Sequence, residues 1–350
     1  MNKLQLKLII NQSRKEILLI YELINKIAVI TGNYAPLRQE IEFYNSKTYK
    51  LLFIIKENLG QKDFGAIYDN TVSMIELKNH DVAFSTDISE IYIFKIFEKS
   101  YSLISHFSQN SHFPSSPRFL NLIDGTLISY TYYIQSYYKP KENNIFLKFI
   151  NNIFKKEPNN IFKNSYKINI KTDNFDYSIL NSIEIKPYLL VFYAYSYNGS
   201  DLIVYSLKNK KIMKKLISCK SFDENYYFLS KYKDKYFITR YNEGYRKEYS
   251  KLYFLFFDIN NYKIIHKIKF CEEVLYSKKF NDIFTSFQFW KFYEWKINNF
   301  NIEKITEHEF QEKFEPGSKC FKSKKGNIII YSRDCFSKIF IYEIVKNKNI

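Results

Sequence analysis

Short apolar runs, each followed by a polar turn and a second apolar run, recur along the chain. The pattern reads "IYELINKIAVIT" at 20–31, "MIELKNHDVAFS" at 74–85 and "FLNLIDGTLISY" at 119–130. It returns as "SIEIKPYLLVFY" at 182–193, "FLSKYKDKYFIT" at 228–239, "SKKFNDIFTSFQF" at 277–289 and "CFKSKKGNIIIYS" at 320–332. Runs of five or six residues rich in Ile, Val, Phe and Tyr suit strands better than helices. A turn of two to four residues between two such runs predicts a β-hairpin. The seven starts lie 43 to 54 residues apart, except for one interval of 63 between 119 and 182.

In five places a second hairpin follows the first: "EIEFYNSKTYKLLFII" (40–55), "EIYIFKIFEKSYSLIS" (90–105), "DLIVYSLKNKKIMKKL" (201–216), "KLYFLFFDINNYKIIHKI" (251–268) and "WKFYEWKINNFNIEKIT" (290–306). Two hairpins make a four-stranded antiparallel sheet, which cannot shield its own apolar faces. Sheets repeated at a fixed period therefore cover one another, as the blades of a β-propeller do. The expected fold is an all-β, seven-bladed propeller of four-stranded antiparallel blades, with residues 1–350 forming one domain.

The ends of the chain bear on closure. The last unit has a first hairpin and a third strand, "KIFIYEI" (338–344), and then only "VKNKNI". The segment "KLQLKLIIN" (3–11) is expected to supply its fourth strand and so to remove a free edge. A competing reading makes 16–27 an amphipathic helix capped by Ser13.

The long interval follows the third unit. Within it, "NNIFLKFINNIFKK" (143–156) has apolar residues at helical spacing. Ile145, Phe146, Leu147, Phe149, Ile150, Ile153 and Phe154 sweep one arc, and Lys148, Asn151, Asn152 and Lys155 the other, with Lys156 at the boundary. Pro158 ends the pattern. A helical insertion in the third blade is expected. Residues 139–171 hold eight lysines and two acids, so +6 in 33 residues, against +11 over the other 317. The candidate contact residues are Phe146, Lys148, Phe149, Ile150, Ile153, Phe154, Lys155 and Lys156. Three uses fit such a helix: packing back on the propeller, docking in a groove of a partner protein, or lying in an anionic membrane interface.

Composition changes the picture little. The net charge is +17, carried mostly by lysine, since only six arginines occur. Abundant Asn, Ile, Lys, Tyr and Phe match AT-rich coding, which accounts for much of the basicity. A basic surface nonetheless favours acidic partners. With 46% hydrophobic residues the chain has material for a large core and does not read as disordered. Cys219, Cys271, Cys320 and Cys335 show no metal or disulfide spacing, which suits a reducing compartment. Neither a signal peptide nor a transmembrane run is apparent, so the expected location is cytoplasmic, with the nucleus an alternative.

Motifs for catalysis are not visible. The sequence holds no GxSxG, GxxxxGK[ST] or GxGxxG, and "EHEF" (307–310) lacks the second histidine of a zinc helix. His80 falls in a hairpin turn and His266 in a strand. Neither catalytic, cofactor nor metal residues are assigned, and no small-molecule substrate is expected. Interleaved aromatic and basic residues in "YYIQSYYKPK" (132–141) could stack bases, but blade packing already requires aromatics there.

Spacing and hairpin pairing resemble the WD40-repeat β-propeller family. The best match is "LYFLFFDINNYKIIHKIKF" (252–270), with Asp258 where the family's closing Trp-Asp has its Asp. "IVYSLKNKKIMKKL" (203–216) and "MIELKNHDVAFSTDISEIYIFKI" (74–96) match other parts of a repeat. Trp-Asp and Gly-His dipeptides are absent, so the family's blade-locking tetrad is not carried over. The resemblance implies a non-enzymatic scaffold for protein partners. The alternative is binding of an anionic surface, phospholipid membrane or nucleic acid, through the basic insertion.

Overall fold

The computed structural model describes residues 3–11, 16–34, 37–59, 73–77, 79–85, 90–108, 118–130, 133–138, 168–169, 171–172, 175–176, 178–196, 199–219, 228–243, 251–270, 277–280, 283–288, 291–310, 314, 318–331 and 338–345. Among them, every regular element is a β-strand. In chain order the first are β1 (Lys3–Asn11), β2 (Glu16–Glu22), β3 (Lys26–Tyr34), β4 (Leu37–Asn45) and β5 (Leu51–Leu59). Next come β6 (Ser73–Glu76), β7 (Val82–Ser85), β8 (Glu90–Ile96), β9 (Tyr101–Ser108), β10 (Arg118–Asn121), β11 (Leu127–Tyr130), β12 (Tyr133–Tyr138) and β13 (Ile168–Asn169). They are followed by β14 (Lys171–Thr172), β15 (Phe175–Asp176), β16 (Ser178–Lys186), β17 (Leu189–Ser196), β18 (Gly199–Ser206) and β19 (Lys211–Cys219). The remainder are β20 (Leu229–Tyr232), β21 (Tyr236–Glu243), β22 (Lys251–Asp258), β23 (Ile264–Phe270), β24 (Ser277–Phe280), β25 (Ile283–Gln288), β26 (Lys291–Asn298), β27 (Asn301–Glu309), β28 (Lys319–Lys322), β29 (Ile328–Tyr331) and β30 (Lys338–Val345).

The strands form antiparallel meanders in two compact units. One unit, residues 1–63 with 219–350, holds the sheets β2–β5, β20–β23, β24–β27 and β28–β30. The last of these is completed by β1, which pairs with β30 from Lys3↔Val345 to Asn11↔Lys338. The other unit, residues 64–218, holds β6–β9, β10–β13 and β16–β19, with a small pair β14–β15.

The repeat count predicts seven equivalent blades, but only six sheets among the described residues have four strands of full length. In the sheet opened by β10 and β11, the fourth strand is the two-residue β13. The physical reason lies in sequence: the long segment after Tyr138 departs from the hairpin pattern that forms the other fourth strands. The helical reading of 16–27 gives way to β2, a turn and β3. No helix occurs among the described residues, and 143–156, the place of the expected helical insertion, lies outside them.

Burial explains the shape of the apolar runs. The middle strands are covered on both faces, so they are apolar almost continuously rather than alternately. In β17, Leu190, Val191, Phe192, Tyr193 and Ala194 are all buried, and every residue of β18 is buried. Covered faces meet across neighbouring sheets. Ile17, Ile20, Ile27 and Val29 pack with Phe321, Ile329, Tyr331, Ile339 and Ile341 of the β28–β30 sheet. Tyr232, Phe254, Phe256 and Phe270 likewise pack with Tyr293, Trp295 and Ile297. In the second unit, Leu77, Ala83, Ile91 and Ile93 meet Phe119 and Leu127. Leu122 and Ile128 meet Leu190, Phe192 and Ile203.

The turns repeat as faithfully as the strands. In 77–81, 122–126 and 323–327, the first amide donates to the fifth carbonyl, and the fourth residue is left-handed: His80 (φ 66°), Gly125 (φ 86°) and Gly326 (φ 85°). Glycine adopts this region without Cβ strain, and histidine is among the residues enriched there. Pairing between third and fourth strands slips at Phe43/Tyr44, Ile93/Phe94, Phe256/Phe257 and Glu294/Trp295. Such bulges add twist at the same level of four sheets.

Candidate interaction surface

One repeat position recurs at sheet junctions: the third residue of four of the seven inner-hairpin segments, at or near the end of the first strand. Glu22 accepts the Lys324 backbone N–H with both carboxylate oxygens at 2.9 Å. Glu184 accepts the Ile123 N–H, and at 2.7 Å the Tyr188 N–H. Asn121 donates to the Glu76 carbonyl at 2.8 Å. Lys322 donates to Glu294 at 2.6 Å. In all four, the side chain crosses to the preceding sheet. Glu22 and Glu184 supply acceptors to turn amides that lack strand partners, as sequestered backbone donors require. The only trace of this in sequence is a polar residue between apolar ones, which any solvent-facing strand position also shows.

Within a meander, the first-to-second and third-to-fourth turns lie at the same end of the sheet. They are tied there. Ser46 N–H donates to the Asn25 carbonyl at 3.2 Å, Leu207 N–H to Tyr188 at 2.9 Å, and Ile259 N–H to Lys235 at 2.9 Å. The outer turns share one construction as well. Asn45 Oδ1 accepts from Lys47 and Thr48 amides, Asp258 Oδ1 from Asn260 and Asn261, and Ser206 Oγ from Asn209. Each turn then places a residue at positive φ: Tyr49, Tyr262 and Lys210. In these three sheets the result is a hydrogen-bonded, polar rim at one end.

Charge at this rim is uneven. Lys325 donates to the Oγ of buried Ser46 at 2.5 Å. Its ammonium is held below the ordinary lysine value, first by burial and then by the neighbouring Lys47, against an opposing pull from Glu22. Between β26 and β28, Glu294 takes Lys322 at 2.6 Å and the Thr306 hydroxyl at 2.9 Å. His308 is buried nearby and stacks on Phe292. Burial lowers its pKa, partly opposed by Glu294 and reinforced by Lys322. Its Nε2 has no hydrogen-bond partner among the described residues. Burial also pushes the Tyr205 phenol up to about 12 and the Cys320 thiol well above its usual value. A thiol so protected is packing material rather than a nucleophile.

All eight contact residues named from sequence, Phe146 to Lys156, lie outside the described residues. The histidines fall apart from one another: His80 in an inner turn beside Glu76 (3.1 Å), His266 in β23, and His106 stacked on Tyr92. Among the described residues, no group of three His, Cys, Asp or Glu side chains could hold a metal ion. Nor do the described residues form a helix long and apolar enough to cross a membrane.

What the described residues do offer a partner is a set of outer strands. Large apolar side chains stand exposed on β1 (Leu6), β5 (Leu51), β9 (Leu103, Ile104), β19 (Met213), β23 (Ile264, Ile265) and β27 (Ile305). They are interspersed with lysines: Lys211, Lys214 and Lys215 on β19, Lys267 and Lys269 on β23, and Lys304 on β27.

No protein-family profile and no curated protein matches the sequence. Solved structures do. The Dos1 propeller superposes with a TM-score of 0.61 at 11% identity, over 97% of this chain and 95% of that one. Saccharomyces cerevisiae Sqt1 superposes with a TM-score of 0.52 at 11% identity, over 98% and 100%. The fold is that of a β-propeller. In this propeller Asp258 closes its third strand as the resemblance implies, yet its carboxylate serves the outer turn. The junctions are instead held by Glu22, Asn121, Glu184 and Lys322.

Proposed function

We propose that the chain, taken as one propeller domain over 1–350, is a non-enzymatic platform for protein partners. The observation that carries this reading is the recurrence of exposed apolar side chains on outer strands that are otherwise lysine-studded. Single exposed apolar residues are ordinary. A repeated band of them on strands with an unpaired edge is an invitation to a partner. The polar clusters that could suggest chemistry are already engaged in holding sheets and turns together. Likeness to propellers of very different sequence supports the scaffold type of use and names no partner.

The basic segment 139–171 gives a second reading, contact with an anionic surface through Lys148, Lys155, Lys156 and the apolar residues Phe146, Phe149, Ile150, Ile153 and Phe154. Affinity capture from native cells should compare the intact chain with one lacking 143–156 and one carrying Ile264→Lys with Ile265→Lys. Loss of partners in the strand variant is the expected result. An unchanged set in that variant removes the outer strand from the account. If deletion of 143–156 instead abolishes salt-sensitive sedimentation with anionic liposomes, the second reading replaces the first.

A further inference from the structure

Where the β28–β30 sheet meets β2–β5, three turns come together: 23–26, 45–50 and 323–327. They carry Lys26, Lys47, Lys50, Lys324 and Lys325, and no acid. Glu22 is the carboxylate that acts on Lys325, and both of its oxygens accept the Lys324 backbone N–H. Lysine is abundant throughout this chain, so number alone means little. The geometry means more. Lys325 Nζ is fixed 2.5 Å from Ser46 Oγ, and Ser46 is only 3% exposed. That contact draws the Lys325 ammonium to the residue preceding Lys47, across two sheets and 279 positions of sequence.

Nothing in ordinary folding favours bringing like charges together. Here the backbone holds them. Asn45 Oδ1 fixes the amides of Lys47 and Thr48, Ser46 N–H is bound to Asn25, and Asn327 donates to Tyr49 Oη beneath the turns. Lys47 and Lys325 have no carboxylate partner among the described residues. Burial first, and then repulsion from Lys47, depress the Lys325 ammonium, against an opposing pull from Glu22. An anion near both ammonium groups would relieve that repulsion, on turns whose backbone is already fixed.

We propose that the turns 23–26, 45–50 and 323–327 form a binding site for a phosphoryl dianion, held by Lys47 and Lys325, with buried Ser46 positioning the Lys325 ammonium. A tetrahedral dianion offers several acceptor oxygens to ammonium donors approaching from different directions. A carboxylate has one charge and a single plane. The large apolar side chain exposed within these turns is Ile24 alone among the described residues, which gives a bilayer little to receive. The source is therefore free phosphate or a phosphorylated side chain. This site is independent of the outer strands, so its failure leaves the platform reading untouched.

The test uses the full chain and calorimetric titration with three probes: a short phosphoserine peptide, the same peptide unphosphorylated, and inorganic phosphate. Lys47→Gln with Lys325→Gln should weaken phosphopeptide binding about tenfold or more, given the strength of charge-assisted hydrogen bonds. Lys233→Gln with Lys235→Gln, an equal charge change on the inner turn of the β20–β23 sheet, should weaken it less than about twofold. Both pairs should keep the parent's thermal midpoint, since these lysines are exposed. Tighter binding of the phosphopeptide than of phosphate assigns the phosphorylated side chain as source, and equal binding assigns the free ion. Equal losses in both variants, equal binding of the unphosphorylated peptide, or no binding of either the phosphopeptide or phosphate would overturn the proposal.

Discussion

Glu22 and Glu184 hold the same repeat position and do the same work: each turns a carboxylate onto a backbone amide of the preceding sheet's turn. Removing either leaves that part-buried donor without its acceptor, which costs about 1–3 kcal/mol. Glu22→Ala and Glu184→Ala should each lower the urea midpoint by that measure. Glu303 on β27 serves as the control, since it is an exposed carboxylate in the same fold and Glu303→Ala should change little. Equal effects at all three positions would remove the junction role. His308 makes a pH-dependent contribution. Its folded pKa is depressed below 6.5 by burial, so it is stable as the neutral ring. The unfolded chain takes up the proton first as pH falls. The contribution is therefore full above about pH 6.5 and is lost as pH drops through the folded value. The midpoint should fall less between about pH 8 and pH 5 in His308→Gln than in the parent. Parallel acid limbs would show that His308 is not responsible.

At the scale of elements, β1 is the most informative strand. It is the first in the chain and pairs with the last, so its removal opens the edge of β30 rather than shortening an arm. Leu4, Leu8 and Ile10 pack partly into the neighbouring cores. Losing their partial burial costs about 3 kcal/mol, at roughly half of the 1.5–3 kcal/mol expected for each fully buried side chain. A chain lacking 1–11 should melt earlier and self-associate through β30, and a peptide of residues 1–12 added in trans should reverse both. A truncated chain that stays monomeric with the parent's midpoint would contradict this. The same scale shows why 16–27 could be read two ways. "EILLIYELINKI" has apolar residues spaced for either period, and what decides is the company of β3 and the β28–β30 sheet, whose side chains enclose Ile17 and Ile20. The outer hairpins were clearer, because Asn45, Ser206 and Asp258 mark turns chemically as well as by polarity.

For the whole molecule, strand content, the two-hairpin unit and the N-terminal completion of the last sheet were legible along the chain. Each is written locally: runs of Ile, Val, Phe and Tyr between turn residues admit few other structures, and a unit short of one strand names its own deficit. The excess of charge at 139–171 was legible too, as a matter of counting. Which sheets are complete emerges only on folding, since the two-residue β13 is defined by its pairing with β12 and not by an apolar run of its own. Folding alone brought Glu22 to Lys324 and Lys325 to Ser46, in pairs separated by 302 and 279 residues. Such contacts leave no periodic trace, because hydrogen bonds and ammonium positions depend on side-chain direction across a sheet junction. Apolar burial repeats with the backbone and can be read along the chain; polar pairing answers to a neighbour that only folding supplies.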